Sequence, residues 1–226
     1  MKKRTKTIIA VIAGAAILIG GIWMINESRY PNVPAFDDHF TREFLNKDKK
    51  VDDGFYEFKS KTGQYTMWFP EEYQLIHEDA SDYVKDDTYY EFWKASNNNN
   101  EGHKGYINIE LSEKNPDKEK VYVESLFKKR FHSTSPQKLQ TDTTRIYYDR
   151  AYIYFKGTDK RVITDFNRHI PTTYAGYIAD KNSERVIEFY FDSTDDHLSK
   201  KSAEERDEWI INILKSITFN KDEHNG

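Results

Sequence analysis

The chain has 226 residues, enough for one well-filled domain and short for two. Acids exceed bases by 38 to 34, giving a net charge of −4, and hydrophobic residues make up 37%, which excludes a polytopic membrane protein and a strongly basic nucleic-acid binder. With no cysteine, there is no disulfide framework, thiolate metal site or cysteine nucleophile.

Residues 8–25 form an uncharged run with its ends at Ile8 and Ile25 and with Trp23 near the distal boundary. As a helix at a rise of about 1.5 Å per residue it spans about 27 Å, close to the hydrocarbon thickness of a bilayer. Lys2, Lys3, Arg4 and Lys6 precede it, while Glu27 and Arg29 cancel after it, so the positive-inside rule places the N-terminus in the cytoplasm and the rest outside. Residues 1–27 are therefore expected to be a cytoplasmic basic end and a transmembrane signal-anchor. The competing reading is a signal peptide cleaved at Ala13-Gly14-Ala15, which leaves a short apolar region. A lipoprotein is disfavoured because its modified cysteine is missing. Setting aside the four bases and one acid of this segment leaves 30 bases and 37 acids, a net of −7, which gains little from nonspecific attraction to anionic lipid or wall polymer. A cysteine-free exported domain suits a Gram-positive host.

Residues 28–54 carry two prolines, Lys47-Asp48-Lys49-Lys50 and Asp52-Asp53-Gly54, a composition that suits a stalk. Within it Phe36, Phe40 and Phe44 recur every fourth residue, so a short helix is expected, docking on the main domain or on a second copy. From residue 55 the period changes to two. Residues 55–58 and 65–69 flank Lys61-Thr62-Gly63 as a hairpin that Pro70 ends. Strands are expected at 89–93 and 106–111 around a polar asparagine loop, then an amphipathic helix over 117–131 with Val123, Leu126, Phe127, Arg130 and Phe131 on one face. Further strands are expected at 145–148, 151–155, 162–170, 173–179 and 185–192. The last helix has the capping-box pair Ser202 and Glu205 and the stripe Trp209, Ile210, Ile213, Leu214 and Ile217. Residues 55–219 thus read as one extracytoplasmic α+β domain and 220–226 as a disordered tail.

The turn Phe69-Pro70-Glu71-Glu72-Tyr73 and the helix end Leu214-Lys215-Ser216-Ile217-Thr218-Phe219, together with the order of elements between them, resemble the PsbP-like superfamily. That group includes the photosystem II extrinsic subunit, a Ran-binding nuclear import factor and many bacterial exported proteins of unknown role. The resemblance implies a PsbP-like sandwich, an antiparallel sheet packed against helices, here preceded by one transmembrane helix. It also implies binding rather than catalysis, and it supplies no active-site residue.

Local signatures of chemistry are missing. None of the seven histidines has the i, i+4 partner and intervening acid of a helical zinc site, and there is no Gly-x-Ser-x-Gly elbow or glycine-rich phosphate loop. Asp192, Thr194 and Asp196 alternate like the opening of a calcium loop, but His197 stands where the sharp turn needs glycine. The acid pairs Glu71-Glu72, Asp86-Asp87 and Asp195-Asp196 read as charged turns, and Lys128, Lys129, Arg130 and His132 as a basic helix end that could meet wall or lipid phosphate. No catalytic residue, metal ligand or cofactor is assigned.

The strands are more informative. Ile107, Ile109 and Leu111 alternate with Tyr106, Asn108 and Glu110; Ile187, Phe189 and Phe191 alternate with Glu188 and Tyr190; residues 151–155 carry Tyr152 and Tyr154. One sheet face is expected to be aliphatic and phenylalanine-rich beneath the two long helices. The other, with Tyr106, Tyr152, Tyr154 and Tyr190, is expected to be a contact surface, or half-buried under loops. The expected protein is a single-pass membrane protein with an external binding or scaffolding module. Its candidate partners are a protein or a cell-wall glycan, not nucleic acid. A wall-acting hydrolase and a structural subunit of a membrane complex are the alternatives.

Overall fold

The structure, a computed structural model, describes residues 29–98, 104–133, 135–166, 169–194 and 200–221. Two short helices, α1 (Pro34–Asp37) and α2 (His39–Arg42), lead into β1 (Leu45–Asp52), β2 (Phe55–Lys59) and β3 (Tyr65–Pro70). The short strands β4 (Gln74–Leu75) and β5 (Tyr83–Asp86) precede β6 (Tyr90–Asn98) and β7 (Lys104–Glu113). Helix α3 (Glu119–Phe131) follows, then β8 (Gln137–Gln140), β9 (Thr144–Lys156), β10 (Asp159–Ile163), β11 (Thr173–Asp180) and β12 (Arg185–Ser193). Helix α4 (Lys200–Ser216) and β13 (Thr218–Phe219) come last.

These strands make two antiparallel sheets. The smaller has the order β1-β2-β3-β13, and the larger β10-β9-β11-β12-β7-β6-β4, with β5 on β6 and β8 on β9. Alternation along each strand sends one set of side chains of the large sheet toward the small sheet and α4. There Ile107, Ile109, Trp93, Ile178, Ile187 and Phe189 meet Phe58, Phe69, Met67 and Ile213, Leu214 and Ile217 in the main core. The opposite face receives α3, whose Val123, Phe127 and Phe131 pack on Ala151, Ala175, Tyr177 and Ala179 as a second, smaller core. Gly176 lets α4 approach closely, since a Cβ there would lie 2.8 Å from Leu214 Cδ2.

A buried polar knot ties the two sheets. The fully buried carboxylate of Glu91 on β6 accepts from Ser60 Oγ at 2.5 Å and Lys61 N at 3.0 Å in the β2–β3 turn, and from Tyr83 Oη at 3.1 Å. Trp93 Nε1 donates to Tyr65 Oη at 2.8 Å across the same layer. Burying a carboxylate without such donors would be costly, so these bonds define how the turn seats on the sheet.

The expectation of an α+β sandwich led by a transmembrane helix is corrected. Strand accounts for 47% and helix for 22% of the described residues, and the small sheet supplies most of a layer that was assigned to helices. The two long helices lie on opposite faces rather than together over the aliphatic one. Among the described residues no helix is long and apolar enough to cross a membrane, and the run with Ile8, Trp23 and Ile25 lies outside them.

Where a stalk is expected, the chain is built into the body. Phe36 and Phe44 are buried in the main core and β1 is an edge strand of the small sheet. The expected single helix is two, because Asp38 is extended and caps α2, accepting from Thr41 N at 2.7 Å and Thr41 Oγ1 at 2.6 Å. Thr41 Oγ1 in turn accepts from Leu75 N at 2.8 Å, fixing α2 to β4. Helix α4 begins at Lys200, ahead of Ser202, and residues 222–226 of the expected tail lie outside the described residues.

Candidate binding surface

Register decides which side chains share a face. Tyr190 on β12 stands opposite Asn108 on β7, Asp192 opposite Tyr106, and Glu188 opposite Glu110. Across the next pair, Phe92 lies opposite Glu110, Lys94 opposite Asn108 and Ser96 opposite Tyr106. All of these side chains therefore point away from the main core. Helix α3 packs over the β9–β11 half of this face and reaches Val186 and Tyr190 on β12, while the β7–β6 half carries half-buried Phe92, Lys94, Tyr106, Asn108 and Glu110.

The open half is tyrosine and phenylalanine around two facing carboxyls. Glu188 accepts hydrogen bonds from Tyr190 Oη and Lys114 Nζ, and the Arg130 guanidinium lies 4.7 Å from the Tyr190 ring centre. Burial, and then the neighbouring Glu188 carboxylate, push the Glu110 carboxyl above the ordinary carboxylate range. Burial and then Glu110 likewise raise Tyr90. Two acids opposed across a strand pair repel each other, and Lys114, bonded to Glu188, offsets part of that repulsion.

The four tyrosines expected on one surface divide into two pairs. Tyr106 and Tyr190 share this face as diagonal neighbours, Tyr106 on the open half and Tyr190 at the edge of α3 beneath Arg130. Tyr152 and Tyr154 follow the parity of Ile146 and Tyr148, set by Ala151 pairing with Thr173, and so lie on the other side of β9. Their ring centres are 5.8 Å apart, and Tyr152 stacks on His169 at 4.9 Å. Alternation within a strand could not reveal this, because it leaves open which face of the neighbour each set joins. The opposition of Glu110 and Glu188 was missed for the same reason.

Two other constellations are structural. Arg145 grips Glu119 at the start of α3, with Nη2 to Oε2 at 2.6 Å and Nε to both oxygens at 3.1 Å, and Tyr147 Oη adds a donor at 2.8 Å. Burial works against the Glu119 charge, but these donors outweigh it and hold the carboxyl below its usual range. A cleft of about 660 Å³ beside them is lined by Pro116, Lys120, Ser135 and Lys138. Asp192, part of the calcium-like pattern, is occupied by Thr173 Oγ1 at 2.8 Å and Arg130 Nη2 at 2.7 Å, and Asp195 and Asp196 lie outside the described residues. Among the described residues no group of three or more His, Asp or Glu side chains could hold a metal ion.

Residues 31–218 match the family described as "Putative lipoprotein YvcA" (YvcA_Mog1p). One relative, "Putative lipoprotein YvcA" of Bacillus subtilis (strain 168), is 24% identical over 196 residues, covering 84% of this chain and 78% of the relative. The family match runs from the segment before α1 to the first residue of β13, through both sheets and both long helices, and the chain therefore belongs to the YvcA family.

Proposed function

We propose that this chain is a membrane-associated extracytoplasmic binding module that engages a protein through the open half of its large sheet. The observation that carries the reading is the facing pair Glu110 and Glu188, set beside Phe92 and Tyr106 on the half of the sheet face that α3 leaves uncovered, with Tyr190 at its edge beneath Arg130 of α3. Aromatic rings with polar edges around a charged centre are the mixture found in protein contacts, and the acid pair favours a partner that brings lysine or arginine. A wall hydrolase would need its two acids convergent in a cleft, whereas this pair lies on an open sheet face. The lipoprotein name of the relative supports the location.

The proposal includes kinship with the PsbP-like superfamily, supported by what the motif residues do here. Phe69, Tyr73 and Phe219 are buried in the main core, and Ser216 Oγ accepts from Trp68 N at 2.9 Å, joining α4 to the small sheet.

Crosslinking in intact cells followed by pull-down tests the reading. A stoichiometric partner is expected with the wild-type chain, and its recovery is expected to fall with Tyr106→Ala, Tyr190→Ala or Glu110→Lys while circular dichroism stays unchanged. Undiminished recovery with all three would overturn it. Protease treatment of wall-stripped cells checks the location, since an external domain is digested and an internal one survives.

A further inference from the structure

The end of the large sheet that contains Ala151, Thr173, Asp192, Tyr106, Ser96 and Gln74 gathers three unusual features. First, β9 pairs with β11 only as far as Ala151; residues 152–156 continue beyond it, paired with β10 alone as a two-stranded ribbon. The ribbon turns through Gly157 and Thr158, and Gly157 at φ 65° takes the left-handed position that a tight two-residue turn requires. Near its tip Phe155 is 68% exposed and Tyr154 40% exposed, the former among the largest uncovered apolar side chains described. Consecutive residues of a strand point to opposite sides, so the two rings flank the ribbon tip, and a ribbon meeting a surface end-on would carry both into it.

Second, the surroundings of the tip are cationic on an acidic chain. Lys156, Lys160 and Arg161 stand against a single acid in the ribbon, Asp159. Lys160 Nζ donates to the Arg130 carbonyl at 2.9 Å, which brings the basic C-terminal turn of α3, with Lys128 and Lys129, beside the ribbon. A crevice of about 170 Å³ opens between Leu126, Lys129, Arg130, Lys160 and Tyr190. Arg130 Nε is buried there with no hydrogen-bond partner among the described residues. Burial and then the Arg130 guanidinium hold the Lys160 ammonium below its ordinary pKa, against the opposing pull of Asp192, which takes Arg130 Nη2 at 2.7 Å.

Third, the chain enters the body at this same end. Pro34 carbonyl accepts from Gln74 Nε2 at 2.7 Å, and Gln74 pairs with Ser96. Whatever keeps the N-terminal side near a bilayer therefore turns this end toward it.

We propose that this end of the molecule rests on an anionic lipid surface, with Tyr154 and Phe155 entering the headgroup region and the crevice between Lys129, Arg130 and Lys160 receiving a lipid phosphate. Aromatic rings are stable at that depth and cations beside them gain from the negative surface potential. The inference rests on the membrane side of the proposed function; Tyr190 lines this crevice as well as the sheet face, so the test is read at Phe155, Lys156 and Lys160, which the partner reading does not use.

The absence of cysteine makes a clean test possible. Thr158→Cys in the full chain, labelled with an environment-sensitive fluorophore, is reconstituted into vesicles of phosphatidylglycerol and phosphatidylcholine in equal parts, or of phosphatidylcholine alone. The emission is expected to shift to the blue only with phosphatidylglycerol. Phe155→Ser is expected to abolish the shift, and each of Lys156→Gln and Lys160→Gln to lower the docked-to-free ratio about fivefold. A label that stays in water on both vesicles, shifts equally on both, or shifts only when unlabelled chain is added would overturn the proposal. Flotation of the same samples separates the two readings. A chain that floats with vesicles while its label stays in water loses the ribbon contact alone, whereas a native chain absent from the cell membrane fraction loses the membrane association as well.

Discussion

The two faces of the large sheet are covered in different ways. One is closed by segments from both ends of the described chain, residues 34–75 and 209–219, which meet where Thr218 pairs with Thr66. The other is closed by a local insertion, α3, placed between β7 and β8 and gripped by Arg145. The first cover fills its layer with large aromatics, among them Phe58, tilted against Trp93 at 5.1 Å and stacked on Phe69 at 5.9 Å. The second leaves half its face open. The contrast sets a filled intersheet layer against a face that keeps half-buried polar and aromatic side chains.

Removing the centre of each core tests that contrast. Trp93→Ala is expected to cost about 3–5 kcal/mol, since a fully buried ring leaves a cavity between two sheets that cannot both relax. Phe127→Ala is expected to cost about 3 kcal/mol, because a single helix can settle toward the sheet. Denaturant unfolding followed by circular dichroism measures both; an equal or larger loss at Phe127 would mean that α3, not the intersheet layer, dominates.

Polar anchors come next. Glu91→Gln keeps the shape but replaces an acceptor-only group that serves three donors, and is expected to lose about 2 kcal/mol. Arg145→Ala removes a forked bond that is partly in solvent, with an expected loss of about 1 kcal/mol. Because the Glu119 carboxyl is held below its unfolded value, its contribution is present above the ordinary carboxylate pKa and lost as pH falls through the lower folded one. The acid limb of the stability curve is therefore expected to be shallower in Arg145→Ala. If the two limbs superimpose, the fork adds no charge-dependent stability.

The smallest expected effect has the opposite sign. Glu110 has a raised folded pKa, so the folded state holds its proton more tightly and loses stability as pH climbs from the ordinary carboxylate value through the raised one. Glu110→Gln is expected to be slightly more stable than the wild type above that window and to match it below, as thermal unfolding at several pH values would show. A gain at Glu110 alongside a loss of partner recovery in the charge-reversed variant would separate the open face from the closed one as a surface kept for binding rather than for stability.

Much of the local structure was legible. The Val123, Phe127, Phe131 stripe, the Ile210, Ile213, Leu214, Ile217 stripe and the hairpin around Gly63 follow from periodicity and turn chemistry acting within a few residues. Strand β1 was not legible, because Lys47, Asp48, Lys49 and Lys50 show no apolar alternation; it forms as a charged edge, with Lys49 paired to Glu57 on β2. Residues 145–148 and 151–155 merge into a single β9, and the expected strand over 162–170 ends at Ile163.

By itself, the sequence determined the elements whose signals repeat every two or every three to four residues, and the charge and cysteine-free chemistry of the chain. Tertiary structure alone decided that a second sheet would share the main core with α4, that α3 would take the opposite face, and that Tyr106 and Tyr190 would part from Tyr152 and Tyr154. The reason is physical: a strand's pattern states which residues point together, but only hydrogen-bonded register with a neighbour far along the chain selects the side on which they meet another strand's residues.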